Sequence, residues 1–236
     1  MRLCCSAVLF SVFIAGFALP SQAAEPLQAA VAVADITPPL GYRLSGYYHE
    51  RLSTAVHDPL LAKAIVFSQG NTQAAMVFCD VIGIPLARSR QARALAEKKT
   101  GIAASNILIA ATHTHTGPQY HGVLRDYLHD QAVARDGSDR AESVDYGERL
   151  VEGIVKAIAD AKARIEPVRL QTAVGNQQGL SFNRRFHMKN SSEVRFNPGK
   201  LNPDILRPAG PIDPEVGLVL LRSAAGDRPL GSLTTF

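Results

Sequence analysis

The apolar positions of the chain fall into short runs bounded by turn residues and into two longer segments with helical character. Short apolar runs are typical of strands in a sheet, and we predict strands at residues 29–36, 62–68, 73–80, 107–111, 168–174, 217–222 and 230–236. Residues 86–99 are rich in good helix formers, and Gly101 follows as a C-terminal stop. Between residues 144 and 165, apolar residues recur at intervals of three and four, which predicts an amphipathic helix that Pro167 ends.

Turn and loop signals complete this outline. A Gln-Gly-Asn-Thr turn at 69–72 and a Gly-Asp turn at 226–227 each join two predicted strands, which indicates hairpins. Residues 117–143 and 176–214 show no clear hydrophobic period, so we predict irregular loops in both places. The alternation of strands with helices favours an α/β fold: a layered mixed β-sheet with flanking helices and antiparallel hairpins.

The N-terminal residues indicate export. One positive charge, an apolar run and a small-residue end predict a signal peptide at residues 1–23, with the mature protein secreted or periplasmic. A buried N-terminal helix or a retained membrane anchor is the alternative, but the apolar run is short against the about twenty residues that span a bilayer. Cleavage would leave Cys79 as the one cysteine, and its apolar neighbours indicate a small buried core residue.

Size and charge narrow the possible functions. The 236 residues are 46% hydrophobic and 19% charged, which suffices for one large core or a core plus a subdomain. The isoelectric point near 9.1 is compatible with a nucleic-acid ligand. However, the basic residues are scattered and tryptophan is absent, so we set nucleic-acid binding aside.

The strongest chemical signal is a pair of histidines directly after the strand predicted at 107–111. His113 and His115 lie one residue apart, before a Gly-Pro stop. Side chains at i and i+2 of a strand point to the same face, so both imidazoles can enter one cleft. Neutral imidazole is a good zinc ligand, although a structural or hydrogen-bonding pair remains the alternative. A hydrolytic zinc site usually needs three protein ligands and an open position for water, so two histidines are not enough.

Other hydrolases with a His-x-His pair fit the chain less well. The metallo-β-lactamase pattern has an acidic residue two positions after the second histidine, where this chain has Gly117. Amidohydrolase barrels carry the pair on their first strand, whereas about three predicted strands come earlier here.

The order of short motifs resembles the neutral (alkaline, non-lysosomal) ceramidase family, in its N-terminal catalytic domain. The resemblance runs from about residue 31 to 236, and its most specific piece is Thr-His-Thr-His-Thr-Gly-Pro at 112–118. The other matching pieces are Ala-Asp-Ile-Thr at 34–37, Ser-Gly-Tyr at 45–47, Val-His at 56–57, Ala-Lys-Ala at 62–64, Cys-Asp-Val-Ile-Gly at 79–83, the helix from Gly-Ile-Val at 153–155, Ser-x-Asn-Arg at 181–184, Asn-Pro-Asp-Ile at 202–205 and Ile-Asp-Pro at 212–214.

This resemblance implies a secreted or membrane-anchored zinc amidase that hydrolyses the N-acyl bond of ceramide, with one zinc ion. His113 would be a zinc ligand, His115 would contact water or substrate beside the ion, and Arg184 would reach the substrate. For Arg184, a solvated loop arginine is an equal alternative. The family's remaining zinc ligands and its hydrolytic serine correspond to positions beyond Phe236. We therefore predict that residues 24–236 form a ceramidase-like N-terminal domain that is incomplete at its C-terminal end.

The resemblance leaves the identity of the substrate open, and a second interpretation of the function competes with it. The substrate would be a small-molecule or lipid N-acyl compound, with possible membrane-surface contact through that substrate, and the oligomeric state is not readable. An inactive exported binding protein on the same scaffold is the competing interpretation.

Three further polar residues are candidates near the pair. Asp80 could orient a histidine or be a satisfied strand-end carboxylate. His57 lies in a turn beside Asp58, and His121 could replace a missing ligand but is more simply a solvated loop histidine. No pattern surrounds the other three histidines, which are His49, His129 and His187.

Overall fold

The computed structural model describes residues 25–189 and 191–236, so the predicted signal peptide lies outside the described residues. Three α-helices are described, with two short 3-10 helices at Ala104–Asn106 and Arg140–Glu142. The α-helices are α1 (Leu86–Thr100), α2 (Val123–Asp136) and α3 (Tyr146–Lys162). The strands are β1 (Gln28–Asp35), β2 (Leu61–Gln69), β3 (Thr72–Cys79), β4 (Ile107–Ala111), β5 (Glu166–Asn176), β6 (Arg185–Met188), β7 (Val194–Phe196), β8 (Ile205–Pro208), β9 (Glu215–Ser223) and β10 (Pro229–Thr235). Every strand and helix predicted from the sequence is present.

A seven-stranded mixed sheet in the order β10-β9-β5-β1-β2-β3-β4 forms the centre of the fold. Its pairs are antiparallel except β3 with β4, which are parallel, so the predicted fold class is confirmed. The β2–β3 hairpin pairs Gln69 with Thr72, and Gly70 at the turn has φ 54°, which a glycine adopts without strain. Strand β4 lies at the edge of the described sheet, and only Ile107 of its residues is buried.

Helix α3 supplies much of the core on one face of this sheet. Its apolar residues at three- and four-residue spacing are buried, including Leu150, Ile154 and Ile158. The phenol of Tyr146 donates to the carbonyl of Ile36 at 2.8 Å, which ties the start of α3 to the end of β1. Cys79 belongs to the same core, and burial raises the pKa of its thiol to about 12. The prediction of a buried core cysteine is therefore confirmed.

One predicted boundary is wrong. Helix α3 ends at Lys162, before Pro167 is reached, and Pro167 lies at the start of β5, where it faces Gln28 of β1. A proline is tolerated near the beginning of a strand because its missing N–H removes little from the ladder there. The helix stops earlier because the chain has to turn back into the sheet.

Both predicted irregular loops contain regular structure. The first holds α2, which buries only Ala132 and therefore shows no apolar period; Gly137 closes it in a left-handed conformation with φ 73°. The second holds a small sheet in the order β7-β6-β8, whose strands have three or four residues and bury only Met188. Elements with so little buried apolar surface give no periodic signal in a sequence.

Among the described residues, no helix combines the length and the apolar content that crossing a bilayer requires.

Candidate metal and catalytic site

The histidine pair lies on a loop that follows β4. The strand ends at Ala111, and His113 has a positive φ of 60°, so the strand does not continue through the pair. The prediction that strand alternation places both side chains on one face is therefore wrong. The two rings nevertheless approach each other, with centroids 5.2 Å apart in an edge-on arrangement. A left-handed backbone at a residue other than glycine costs free energy, and such residues are often found at functional sites.

His113 is fixed by two contacts with the loop that follows β3. Its backbone N–H donates to the carbonyl of Val81 at 3.1 Å, and its ring Nδ1 lies 2.8 Å from the carbonyl oxygen of Ile82. A carbonyl can only accept, so Nδ1 carries a hydrogen, and in the neutral imidazole Nε2 has the free lone pair. Histidines that bind metals usually have this arrangement, in which one nitrogen donates to a carbonyl and the other faces the ion. The exposed His113 ring therefore fits a zinc ligand.

The loop that carries the two histidines, residues 112–118 (the histidine loop), also contacts the chain from Tyr42 to Leu52. Ser45 is fully buried and donates to the carbonyl of Gly117 through both its backbone N–H (2.9 Å) and its hydroxyl (3.0 Å). Gln119 donates its backbone N–H to the carbonyl of Arg43 at 2.7 Å. A side chain at Gly117 would be crowded, because a Cβ there would lie 3.2 Å from the carbonyl oxygen of Asp80. The loop therefore has little freedom along its backbone.

A cleft of about 610 Å³ opens beside the histidine loop. Three threonines that alternate with the histidines line it, together with Asp80 and His57; they are Thr112, Thr114 and Thr116. His57 is almost fully exposed, and its Nδ1 lies 2.7 Å from the carboxylate of Asp58, as expected of a residue in a surface turn.

Asp80 is a satisfied carboxylate. It accepts the backbone N–H of Leu61 at 3.1 Å and forms an ion pair with Lys63 at 2.8 Å. No hydrogen bond in the described part of the chain joins it to His113, whose partner is the carbonyl of Ile82. Of the two interpretations open from the sequence, the structure favours the strand-end carboxylate.

Among the described residues, neither Arg184 nor His121 forms a hydrogen bond or a ring contact with the histidine pair. The exposed guanidinium of Arg184 lies 5.0 Å above the ring of Phe196, and no hydrogen bond of the described residues joins it to either histidine. Its substrate role stays a prediction from the resemblance. The ring of His121 packs edge-on against Tyr120 at 4.7 Å, and its Nε2 is buried without a hydrogen-bond partner among the described residues. His121 is thus partly packed, unlike the solvated loop histidine expected from the sequence.

A second group of possible metal ligands escaped the sequence analysis. His129, Asp139 and Glu142 bring their ligand atoms within 4.8 Å of one another. The group joins α2 to a short 3-10 helix, and both elements lie in the predicted irregular loop, so no spacing signal could have revealed it.

The same group carries arginines that a metal ion would have to displace. Arg43, only 3% exposed, forms an ion pair with Asp139, and Arg125 forms one with Glu142. His129 Nδ1 faces Asp139 at 3.0 Å, which suits a donated N–H rather than a free lone pair. Burial acts to raise the pKa of Asp139, but the hydrogen bonds from Arg43 and His129 outweigh it and lower that pKa below its usual value. These contacts favour a buried ion-pair network over a metal site.

Comparison with known proteins agrees with the family resemblance found in the sequence. The sequence profile described as "Neutral/alkaline non-lysosomal ceramidase, N-terminal" matches residues 28–236. The neutral ceramidase of Pseudomonas aeruginosa is 27% identical over 237 aligned residues, which cover 94% of this chain and 32% of that protein.

Solved structures agree with the sequence match. The crystal structure of the Pseudomonas aeruginosa neutral ceramidase superposes with a TM-score of 0.62 at 24% identity, covering 89% of this chain and 31% of the other. A structure described as ceramidase complexed with C2 gives a TM-score of 0.61 at 24% identity over the same shares. At this identity the superpositions establish the fold alone. The chain spans about a third of the length of these relatives.

Proposed function

Because the chain belongs to the neutral/alkaline non-lysosomal ceramidase family, we propose that the protein encoded by the complete reading frame is a zinc-dependent hydrolase of a C–N amide bond. The observation that carries the proposal is the 2.8 Å contact between His113 Nδ1 and the carbonyl of Ile82. It leaves Nε2 as the ring nitrogen without a backbone hydrogen bond among the described residues, as a metal ligand requires.

The proposed roles follow from the chemistry of the side chains. His113 would hold the zinc ion, which when bound polarises an amide carbonyl and lowers the pKa of a water molecule. His115, whose ring centroid lies 5.2 Å from that of His113, would contact the water or the substrate and exchange a proton with it. Arg184 would donate forked hydrogen bonds to the oxygen that becomes negative.

The proposed substrate is an N-acyl compound, either a lipid such as ceramide or a smaller molecule. The relative from Pseudomonas aeruginosa is named a neutral ceramidase, which supports a lipid N-acyl substrate. A lipid substrate would bring the protein to a membrane surface.

The test is a combined measurement of metal content and amide hydrolysis on the protein from the complete reading frame. We expect about one zinc per chain, release of fatty acid from a short-chain ceramide, loss of turnover after chelation and recovery when zinc is returned. A natively folded protein that contains no metal and cleaves no N-acyl substrate would contradict this and support the non-catalytic binding protein instead.

We also propose that the protein is exported after cleavage behind Ala23. The support is the charge and small-residue pattern of residues 1–23. Mass spectrometry of the protein recovered from its native host should give an N-terminus at Ala24, whereas a retained Met1 would refute cleavage.

A further inference from the structure

Arg51 connects two loops at the candidate site. One nitrogen of its guanidinium donates to the carbonyl of Ser45 at 2.9 Å and to the carbonyl of His115 at 2.8 Å. The guanidinium carbon also lies 3.8 Å from the centroid of the Tyr47 ring, a cation–π distance. A single side chain thus holds the backbone of His115, the backbone of Ser45 and an aromatic ring.

The ring of His115 packs against the same loop. Gly46 has a φ of 94°, and a Cβ on it would lie 2.3 Å from Cγ of His115 and 2.6 Å from its Nδ1. The imidazole therefore occupies space that only a glycine leaves free. Tyr47 meets the ring edge-on at a centroid distance of 6.0 Å, and His113 lies on a further side at 5.2 Å.

These contacts replace the hydrogen bond that usually orients a histidine. The Nδ1 atom of His113 has the Ile82 carbonyl as a fixed partner, whereas no hydrogen bond of the described residues involves the ring of His115. Because His115 lies on an exposed loop, the aromatic contact with His113 is the remaining restraint on its rotamer that the described residues show. Its orientation therefore depends on Arg51, Tyr47 and Gly46.

We propose that Arg51 is a positioning residue for His115, an inference that rests on the proposed hydrolytic function. It acts through the His115 carbonyl and through the stacked Tyr47, which together hold the imidazole beside His113. A lysine could donate to the two carbonyls but lacks the planar face that stacks on Tyr47. A methionine could do neither, although it fills a similar volume.

The test compares Arg51→Met, Arg51→Lys and Gly46→Ala in the protein from the complete reading frame, with Arg90→Met as the control on the exposed surface of α1. We expect Arg51→Met to lower kcat by about 10- to 100-fold, the loss that follows from misplacing a reacting group by about 1 Å. KM and zinc content should stay within twofold, because His113 is held by Val81 and Ile82 and not by Arg51. Arg51→Lys should recover part of kcat, and Gly46→Ala should lower kcat without loss of zinc.

A readout that does not need activity separates this inference from the proposed function. The ring C–H signals of His115, assigned by their disappearance in His115→Gln, should shift or broaden in Arg51→Met while those of His113 stay unchanged. If the wild-type protein proves inactive, the proposed function fails, and the His115 signals still decide whether Arg51 positions the ring. Unchanged His115 signals, or a kcat within twofold of wild type, would overturn the inference.

Discussion

Replacing His113 by alanine is expected to remove the bound zinc and abolish amide hydrolysis while leaving the protein folded. The imidazole is exposed and contributes nothing to the hydrophobic core, so its loss should not unfold the domain. Loss of a residue that only orients a ligand typically costs 10- to 100-fold in metal affinity or activity. Loss of the ligand itself should cost more than about 100-fold in both. Elemental analysis and initial rates on the purified variant measure the two effects.

Three further variants make this result specific. His113→Asn also lacks the imidazole but adopts a left-handed backbone more readily than alanine, so it separates the loss of the ligand from strain at φ 60°. His115→Ala should keep its zinc and lose turnover, because His115 is proposed to act on water or substrate. His187→Ala, on the small sheet, should keep both. Full zinc content and full turnover in both His113 variants would eliminate His113 as a ligand.

The histidine pair shows what a sequence pattern can and cannot predict. The motif at 112–118 correctly placed two neighbouring imidazoles after a parallel strand, and the resemblance built on it is confirmed by the family match. The reason given for their proximity was wrong, because the chain leaves the strand at Ala111 and reverses through a left-handed His113. That reversal depends on the carbonyls of Val81 and Ile82, which come from a different part of the chain.

Contacts between residues that are far apart in the sequence also explain the other features that the sequence did not predict. Arg51 reaches the carbonyl of His115 across 64 positions of sequence, and a backbone carbonyl has no sequence signature. Helix α2 is held to the rest of the chain by ion pairs rather than by an apolar stripe, so a hydrophobic period could not predict it. By contrast, α3 and the strands β1 to β3 bury regular apolar faces, and the same patterns predicted them correctly.

The Arg43 network should stabilise the fold strongly and lose that contribution in acid. Asp139, with only 3% of its side chain exposed, pairs with Arg43 and accepts from His129, which ties α2 and the following 3-10 helix to the chain before β2. Asp139→Asn keeps the shape but removes the charge, leaving a buried guanidinium with the partly exposed Glu50 and a longer contact to Glu142 at 3.5 Å. Breaking a buried ion pair from one side costs about 3–5 kcal/mol, and because Arg43 keeps two partners we expect the lower end, about 3 kcal/mol.

The stabilising contribution of Asp139 depends on pH, because the pKa of its carboxyl differs between the folded and the unfolded protein. The pKa of Asp139 is lower in the folded protein than in the unfolded chain, so its contribution is complete above about pH 4, the usual range of an aspartate. The contribution is lost as the pH falls through the folded-state pKa. Urea unfolding should therefore show the full gap between wild type and Asp139→Asn at about pH 7 and a smaller gap in more acidic buffer. In the described part of the chain, the exposed carboxylate of Asp136 forms an ion pair with the adjacent Arg135 alone, so Asp136→Asn should leave stability unchanged at both pH values. A gap that stays constant as the pH falls well below about 4 would show that the ionised carboxylate of Asp139 is not what stabilises this part of the fold.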